Sequence, residues 1–256
     1  MKSAVTVALD PCFAAGPFVF HDLGQAVEHA TRLGFDALEL FPGDPDRLPT
    51  RDQLGGLAVS AVGTGAGWVK HKLSLTSPDP GVRRAAGEFV RAVSVAAATL
   101  GAPVIVGSMQ GRWGDGVGRE QALGWLDEGL AEVPGPVLFE PLNRYESNLV
   151  NTVGDAATVA AHGTAAVRVL ADLFHMNIEE IDPPTAIRDA VPHLGHVHLA
   201  DSNRRAAGMG HTDFAPVVAA LRDIGYAGYL SAECFPHPDP VAAAEAAMAA
   251  VRRLAA

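Results

Sequence analysis

Short apolar runs alternate with longer amphipathic stretches along the whole chain. The apolar runs have the length and the Val, Leu and Ala content of buried parallel strands. The stretches between them begin at residues that favour a helix N-terminus and end at glycine, as in residues 22–34 and 80–101. Further helices are predicted over residues 213–224 and 239–254. The predicted strands are residues 4–9, 37–41, 58–62, 104–106, 137–140, 167–172, 196–200 and 229–233.

Eight strand–helix units within 256 residues are typical of a (β/α)8 TIM barrel, which we predict as a single α/β domain over residues 1–256. A doubly wound open sheet is the alternative, and it usually carries a glycine-rich phosphate loop after the first strand. Here the first strand is followed by D-P-C-F-A-A-G, which lacks the G-x-G-x-x-G spacing. The barrel is therefore the favoured fold.

The composition restricts the compartment and the partners. Hydrophobic residues make up 48% of the chain, yet no run approaches the roughly 18 apolar residues of a membrane span, and the first residues lack a signal-peptide cleavage pattern. The formal net charge of −10 argues against nucleic acid, whose binding depends on clustered Lys and Arg. Cys12 and Cys234 are too few for a disulfide framework. We expect a cytoplasmic protein that binds neither nucleic acid nor a membrane.

The last four strands of the predicted barrel end in side chains that can ligate a metal. The active site of such a barrel lies at the C-terminal strand ends, where Glu140, Asp172, His198 and Glu233 follow from strands five to eight. Three carboxylates so close together would repel one another and raise one another's pKa values. A divalent metal relieves that repulsion. Oxygen-rich ligation with one imidazole suits Mn²⁺ or Mg²⁺, with Co²⁺ as a further candidate.

Four other residues near the strand ends can be placed either in the site or outside it. Of the two histidines on strand seven, we expect His198, nearer the C-terminal end, to ligate the metal and His196 to pack outward against a helix. Glu39 on strand two could reach the site, but we expect it to bond a neighbouring backbone group. Trp68 and Trp113 could cover one face of a bound substrate or be packed in the interior.

Between Phe139 and Glu233 the sequence resembles the ketose 3-epimerases, the D-tagatose, D-psicose and L-ribulose 3-epimerase group of the xylose isomerase-like barrel superfamily. The segments that carry the resemblance are E-P-L-N-R-Y-E at 140–146, N-T at 151–152, D-L-F-H-M-N-I-E-E at 172–180, H-L-A-D-S-N-R at 198–204 and A-E-C-F at 232–235. Before Phe139 the resemblance amounts to the rhythm of strands and helices.

The resemblance implies a role for each matched residue. The four metal ligands predicted above would be the ligands of the family, with Mn²⁺ the favoured ion. Glu140 and Glu233 would form the acid–base pair, and Glu146, His175 and Arg204 would hold the substrate hydroxyls and carbonyl end. The substrate would be a small sugar, and the protein would be a homo-oligomer, either a dimer or a tetramer.

The chemistry of epimerisation agrees with these roles. Inverting the carbon beside a ketone requires removal of its proton on one face and return of a proton on the other, so two bases are needed. The metal would chelate the carbonyl and the neighbouring hydroxyl oxygens and stabilise the enediolate. Arg204 and His175 could neutralise or hydrogen bond the oxyanion.

Three alternatives compete with this function. An aldose–ketose isomerase of the hydroxypyruvate or rhamnose isomerase type would use the same four ligands, although the N-R-Y-E and H-M-N segments favour the epimerase. An endonuclease on this barrel needs more His and Asp ligands and a basic face, which the negative charge opposes. A non-catalytic sugar-binding barrel needs no pair of acids beside the metal.

Overall fold

The computed structural model describes residues 1–114, 116–162 and 166–255. Within these ranges eight parallel strands follow one another around a closed barrel, and the last strand pairs with the first through Lys2 and Tyr229. The predicted (β/α)8 TIM barrel is confirmed. The strands are β1 (Lys2–Ala8), β2 (Ala37–Phe41), β3 (Ala58–Gly63), β4 (Val104–Val106), β5 (Val137–Phe139), β6 (Val167–Asp172), β7 (Leu194–His198) and β8 (Tyr229–Ala232).

Helices connect successive strands and cover the outside of the barrel. They are α1 (Leu23–Leu33), α2 (Ala66–Val69), α3 (Pro80–Leu100), α4 (Arg119–Ala131), α5 (Val153–His162), α6 (Leu173–Glu179), α7 (Pro183–Asp189), α8 (Ala215–Asp223) and α9 (Pro240–Ala255). The start of α1 follows from its sequence, since the Asp22 side chain accepts a hydrogen bond from the Gln25 amide. Its end follows as well, because Gly34 adopts the left-handed conformation with φ of 81°. Among the described residues, no helix combines the length and apolar character needed to cross a bilayer.

The boundaries of β7 differ from the prediction. The strand spans Leu194–His198, two residues earlier than the predicted 196–200. Leu199 and Ala200 are buried, but they belong to the following loop, in which Ala200 pairs with Ala206 in an antiparallel bridge. An apolar run therefore continued past the end of the strand. The assignment of residues 1–256 to a single domain includes positions outside the described ranges and stays a prediction.

Two hydrophobic clusters fill the molecule. The larger one packs the helices against the outer face of the barrel, as with Ala26 and Ala30 of α1. The smaller one combines side chains of six successive strands, β1 to β6, with Ala66 of α2 and two phenylalanines of the segment between β1 and α1. Its buried members are Ala8, Phe13, Phe18, Phe41, Ala61, Ala66, Ile105, Leu138 and Leu170.

Two glycines at strand ends leave space for neighbouring side chains. Gly63 is the last residue of β3, and a Cβ atom there would overlap the ring of Phe41. Gly107 follows β4, and a Cβ atom there would overlap Oε2 of Glu140. Protein interiors are too densely packed to absorb such overlaps without movement. The positions of Phe41 and Glu140 therefore depend on glycine at these two strand ends.

Candidate active site

Four donor side chains meet where β5 to β8 end. Glu140 follows β5, Asp172 and His198 are the last residues of β6 and β7, and Glu233 follows β8. Their ligand atoms lie within 4.8 Å of one another, and all four residues are buried. Nδ1 of His198 lies 3.4 Å from Oε1 of Glu140, 3.6 Å from Oδ2 of Asp172 and 3.4 Å from Oε2 of Glu233. The structure thus brings the four predicted ligands together around one point.

The donor set fits a divalent metal. Oε1 of Glu140 and Nδ1 of His198 are buried and lack a hydrogen-bond partner among the described residues. Buried polar atoms are normally paired, so two unpaired ones facing each other indicate a missing partner. A cation with a preference for carboxylate oxygens and one imidazole nitrogen satisfies both of them.

The pKa values in this cluster show how strongly its members interact. Burial, reinforced by repulsion from Glu233 and Asp172, raises the pKa of Glu140 to about 8. Burial also raises the pKa of Asp172, but electrostatic attraction to His175, Arg204 and His198 outweighs it, so that pKa is lowered. Burial lowers the pKa of His198, yet the charges of Glu39 and Glu233 outweigh that effect and hold the pKa well above 6.5. Without a metal, protons therefore reside on Glu140 and His198 at neutral pH.

Arg204 joins two of the three acids of the cluster to Glu146. Its Nη2 atom lies 2.7 Å from Oε2 of Glu233 and 3.5 Å from Oδ2 of Asp172, and its Nη1 lies 3.2 Å from Oε1 of Glu146. The guanidinium also stacks 4.6 Å from the ring centroid of Phe174. Burial by itself would lower the pKa of Arg204, but attraction to the surrounding acids outweighs this effect. The pKa is therefore raised, and the guanidinium remains charged.

The backbone of Arg204 is held in an uncommon conformation. Its φ of 58° lies in the left-handed region, which side chains other than glycine rarely adopt. The buried carboxylate of Asp201 shapes the surrounding loop by accepting hydrogen bonds from the amides of Ser202, Gly208 and Thr212 at 2.7, 2.8 and 3.0 Å. The sequence shows Asp201 just after an apolar run, but its role in supporting the Arg204 loop was not predicted.

His175 presents one nitrogen to the site and anchors the other. The side-chain NH₂ group of Asn143 donates to Nδ1 of His175 at 2.7 Å, and the side-chain oxygen Oδ1 of Asn143 accepts from the Tyr145 backbone amide at 3.0 Å. Nδ1 is thus an acceptor, so Nε2 carries the hydrogen and lies 3.6 Å from Oδ2 of Asp172. Burial lowers the pKa of His175 and favours this neutral form. Asn143 is a supporting residue that the sequence reasoning missed.

Glu39 and His196 occupy places that the sequence analysis assigned wrongly. Glu39 does not bond a neighbouring backbone group: its two carboxylate oxygens bond Nε2 of His196 at 2.6 Å and Nε2 of His198 at 2.8 Å. His196 does not pack outward. Residues two apart on a strand face the same side of the sheet, so His196 and His198 both point into the barrel. A register shift between Leu38 and Glu39 accompanies this arrangement on β2.

Burial raises the pKa of the Glu39 carboxyl, but attraction to the two imidazoles and their hydrogen bonds more than compensate and hold it below its ordinary value. Glu39 is therefore ionised at neutral pH. An ionised carboxylate only accepts hydrogen bonds, so it receives a hydrogen from each ring.

A cavity of about 880 Å³ opens above the donor cluster. Five of the predicted site residues line it: Glu140, Glu146, His175, Arg204 and Glu233. Asp172 and His198 are fully buried behind this surface. The opposite wall is largely apolar and consists of Phe13, Phe18, Phe41, Trp68, Val69 and Ile105.

Trp68 and Trp113, the two tryptophans considered as substrate contacts, have different surroundings. Trp68 lines the wall with 43% of its surface exposed. Trp113 instead donates its ring N–H to the Asn148 carbonyl oxygen at 2.8 Å, beside the mouth. Trp68 is the tryptophan placed to meet a bound molecule.

Comparison with known proteins agrees with this geometry. A family described as xylose isomerase-like TIM barrel matches residues 27–254. The chain is 32% identical over 232 residues to D-psicose 3-epimerase of Agrobacterium fabrum, which covers 83% of this chain and 79% of that protein. It is also 32% identical over 231 residues to L-ribulose 3-epimerase of Mesorhizobium japonicum, which covers 84% of this chain and 76% of that protein. A solved structure of L-ribulose 3-epimerase superposes with a TM-score of 0.80 at 25% identity, covering 99% of this chain and 94% of that one.

Proposed function

Because the chain belongs to the xylose isomerase-like TIM barrel family, we propose that it is a metal-dependent isomerase that epimerises a ketose at C3 by two-base proton transfer. The observation that carries the proposal is the placement of two glutamates at one donor cluster. Glu140 follows β5 and Glu233 follows β8, so β6 and β7 separate them around the ring. Two bases that approach a substrate from different sides are what inversion of a carbon centre requires.

Each glutamate has one oxygen at the donor cluster and a second oxygen for proton transfer. Oε1 of Glu140 and Oε2 of Glu233 lie 3.4 Å from Nδ1 of His198. One glutamate removes the C3 proton from one face of the ketose, and the other delivers a proton to the opposite face. A positioned acid or base of this kind is worth about 10²–10⁴-fold in rate.

Glu140, Asp172, His198 and Glu233 would hold the metal. The bound ion would supply Lewis acidity, which polarises the ketone and lowers the energy of the enediolate. The remaining residues act on the substrate directly. Arg204 donates hydrogen bonds to oxygens that gain negative charge, and His175 presents its Nε2 hydrogen from the β6 side. The carboxylate of Glu146 accepts a hydrogen bond from a substrate hydroxyl.

The aldose–ketose isomerase is the rival within the same fold. It would move a proton between C1 and C2 and would use the same donor cluster. The relatives described above carry the names of epimerases, which favours reaction at C3. A non-catalytic sugar-binding barrel is not favoured, because binding alone needs no acid–base pair beside a metal.

Proton exchange in D₂O tests the proposal. The protein is loaded with Mn²⁺, incubated with a panel of free ketoses and freed of metal before NMR. We expect deuterium at C3 together with the C3 epimer of at least one ketose. Deuterium at C1 without deuterium at C3 would identify an isomerase. No exchange with any ketose, while the metal stays bound, would overturn the enzymatic function.

Three finer properties complete the proposal. Mn²⁺ is the favoured ion because its ligand preferences include both carboxylate and imidazole. A cytoplasmic location agrees with the free thiols of Cys12 and Cys234 in the described part of the chain. A homo-oligomer, dimer or tetramer, can be tested by light scattering of the purified protein. Tests of these properties are independent of the D₂O experiment.

A further inference from the structure

A buried chain of hydrogen bonds supports the donor cluster from inside the barrel. It runs from His198 on β7 to Glu39 on β2 and back to His196 on β7. Glu39 and His198 have no exposed surface, and His196 is 1% exposed. The hydroxyl of Ser60 adds a further hydrogen bond to Oε2 of Glu39 at 3.3 Å. A barrel interior has little use for a charged group unless that group is paired, and here the pairing is complete.

The donor atoms of Glu39, His196 and His198 lie together, so these three side chains could form a metal site of their own. The distances argue for hydrogen bonds instead. The N···O separations are 2.6 and 2.8 Å, the length of a charge-assisted hydrogen bond with a hydrogen between the atoms. The hydrogen on Nε2 of His198 therefore points to Glu39. Nδ1, on the other side of the ring, faces the three acids of the donor cluster.

We infer that Glu39 and His196 are positioning residues that hold His198 in the ring orientation and tautomer that present Nδ1 to a metal. The inference rests on the proposed function, because it gives His198 the role of metal ligand. Glu39 acts through its hydrogen bond to Nε2 of His198. His196 acts one step further away, by binding the second oxygen of Glu39 so that the first stays directed at His198.

The geometry explains why both positioning residues are needed. Glu39 lies on β2 and the two histidines on β7, so the carboxylate reaches across the barrel rather than to an adjacent strand. Without His196, Oε2 of Glu39 would keep only the longer hydrogen bond from Ser60 at 3.3 Å, so the Glu39 side chain could rotate away from His198. Supporting residues of metal ligands typically change metal affinity by 10–100-fold when they are lost.

Metal affinity measures this role without reference to activity. Mn²⁺ is titrated into the full-length protein by calorimetry at fixed pH, for wild type and for Glu39→Gln. An amide offers one acceptor and one donor, so it cannot accept a hydrogen from both rings. We expect the Mn²⁺ dissociation constant to rise about 10–100-fold. The matched control is Glu180→Gln, the same change at a half-buried acid that accepts only the Val153 amide, and it should leave the affinity unchanged.

A double-mutant cycle shows whether Glu39 acts through His198. In a His198→Asn background, Glu39→Gln should weaken Mn²⁺ binding by no more than about twofold, because the ring that Glu39 supports is gone. An equal loss in both backgrounds would contradict the inference, since Glu39 would then act on the site by another route.

A second variant keeps the inference testable if Glu39→Gln does not fold. His196→Gln leaves the Glu39 carboxylate in place and should raise the Mn²⁺ dissociation constant by a smaller factor. Wild-type affinity in every folded variant of these two residues would overturn the inference and leave the proposed function intact. Metal binding that depends on Glu39, in a protein that exchanges no ketose proton, would overturn the function alone. A wild-type protein that binds no divalent metal would overturn both.

Discussion

The first four strands and the last four strands of this barrel end in opposite kinds of chemistry. The strands β1 to β4 end in Ala8, Phe41, Gly63 and Val106, which are apolar or have no side chain. The ends of β5 to β8 provide one donor atom after another. These donors are Glu140, Asp172, His198 and Glu233. One half of the ring thus carries the reactive groups, and the other half carries the space and the apolar wall.

The difference shows how one barrel can separate reaction from recognition. Reactive groups must keep their mutual geometry, so the second half is tied together by Arg204 and by the contacts between Nδ1 of His198 and the acids. The apolar wall makes few directional contacts and can change shape at lower cost. Glu39 is the exception in the first half. Glu39 supports the donor cluster from inside the barrel, through a hydrogen bond to His198.

Glu233→Gln is expected to have the largest effect and is the most direct way to break the comparison. The amide keeps the size of the side chain but cannot take or give the C3 proton, so turnover should fall about 10²–10⁴-fold with the fold intact. Initial rates on the best ketose, together with circular dichroism, measure both quantities. A folded variant that retains more than a tenth of wild-type turnover would remove Glu233 from the acid–base pair. Glu180→Gln serves as the same chemical change outside the site.

Metal affinity should depend steeply on pH because two of the donor groups in the second half carry protons in the absence of metal. In the metal-free protein the pKa of Glu140 is raised to about 8 and that of His198 lies well above 6.5, so both groups carry protons at pH 7. Metal binding displaces these protons. Lowering the pH from 8 to 6 should therefore weaken Mn²⁺ binding, by about tenfold per pH unit for each proton displaced. Calorimetry in buffers of different ionisation enthalpy counts the released protons, and an affinity that is constant between pH 6 and 8 would contradict this account.

Arg204→Lys tests whether the planar guanidinium is needed between Glu233 and Glu146. A lysine keeps the charge but cannot bond both acids in the same geometry. Hydrogen bonds to charged groups contribute about 1.5–3 kcal/mol each, so kcat/KM should fall about ten- to a hundredfold. The control is Arg144→Lys, which alters the ion pair between the exposed Arg144 and Glu179 outside the donor cluster. Equal kinetics for the two variants would mean that Arg204 only balances charge.

Phe41→Leu should have the smallest effect and the most selective one. It shortens the apolar wall without touching a donor atom, so Mn²⁺ affinity should stay at the wild-type value. The ratio of kcat/KM between two ketoses that differ far from C3 should change by about 1 kcal/mol, equivalent to about fivefold. Phe20→Leu alters a buried ring of the main core and should leave that ratio unchanged. A change in Mn²⁺ affinity on Phe41→Leu would show that the two halves are not separable.

The donor residues at the ends of β5 to β8 could be predicted from the sequence because each one directly follows or ends an apolar strand. An acid or histidine directly after an apolar strand is unusual, and four such strands in succession define a site once the barrel is assumed. The clustering of Glu140, Asp172, His198 and Glu233 therefore followed from their positions at the ends of their strands, and their role as metal ligands stays a prediction.

The first half and the inner hydrogen-bond chain could not be predicted in the same way. Glu39 lies 157 residues from His196 and 159 from His198 in sequence, so no local pattern joins them. The prediction that His196 packs outward was wrong because His196 and His198 are two residues apart on one strand, and such residues face the same side of the sheet. Phe13 and Phe18 reach the cavity from a loop, and the sequence carries no periodic signal there.

The two glycines at the ends of β3 and β4 suggest where this enzyme can diverge. Any side chain at position 107 would displace Glu140 from the donor cluster, so we expect natural selection to reject variation there. A side chain at position 63 would displace only Phe41 and would reshape the apolar wall while the donor atoms stay in place. Lineages that adopt new sugars are therefore expected to vary at position 63 and to retain glycine at position 107. We therefore expect sequence variation among relatives to be greater on the apolar side of the cavity mouth than on the side of the donor cluster.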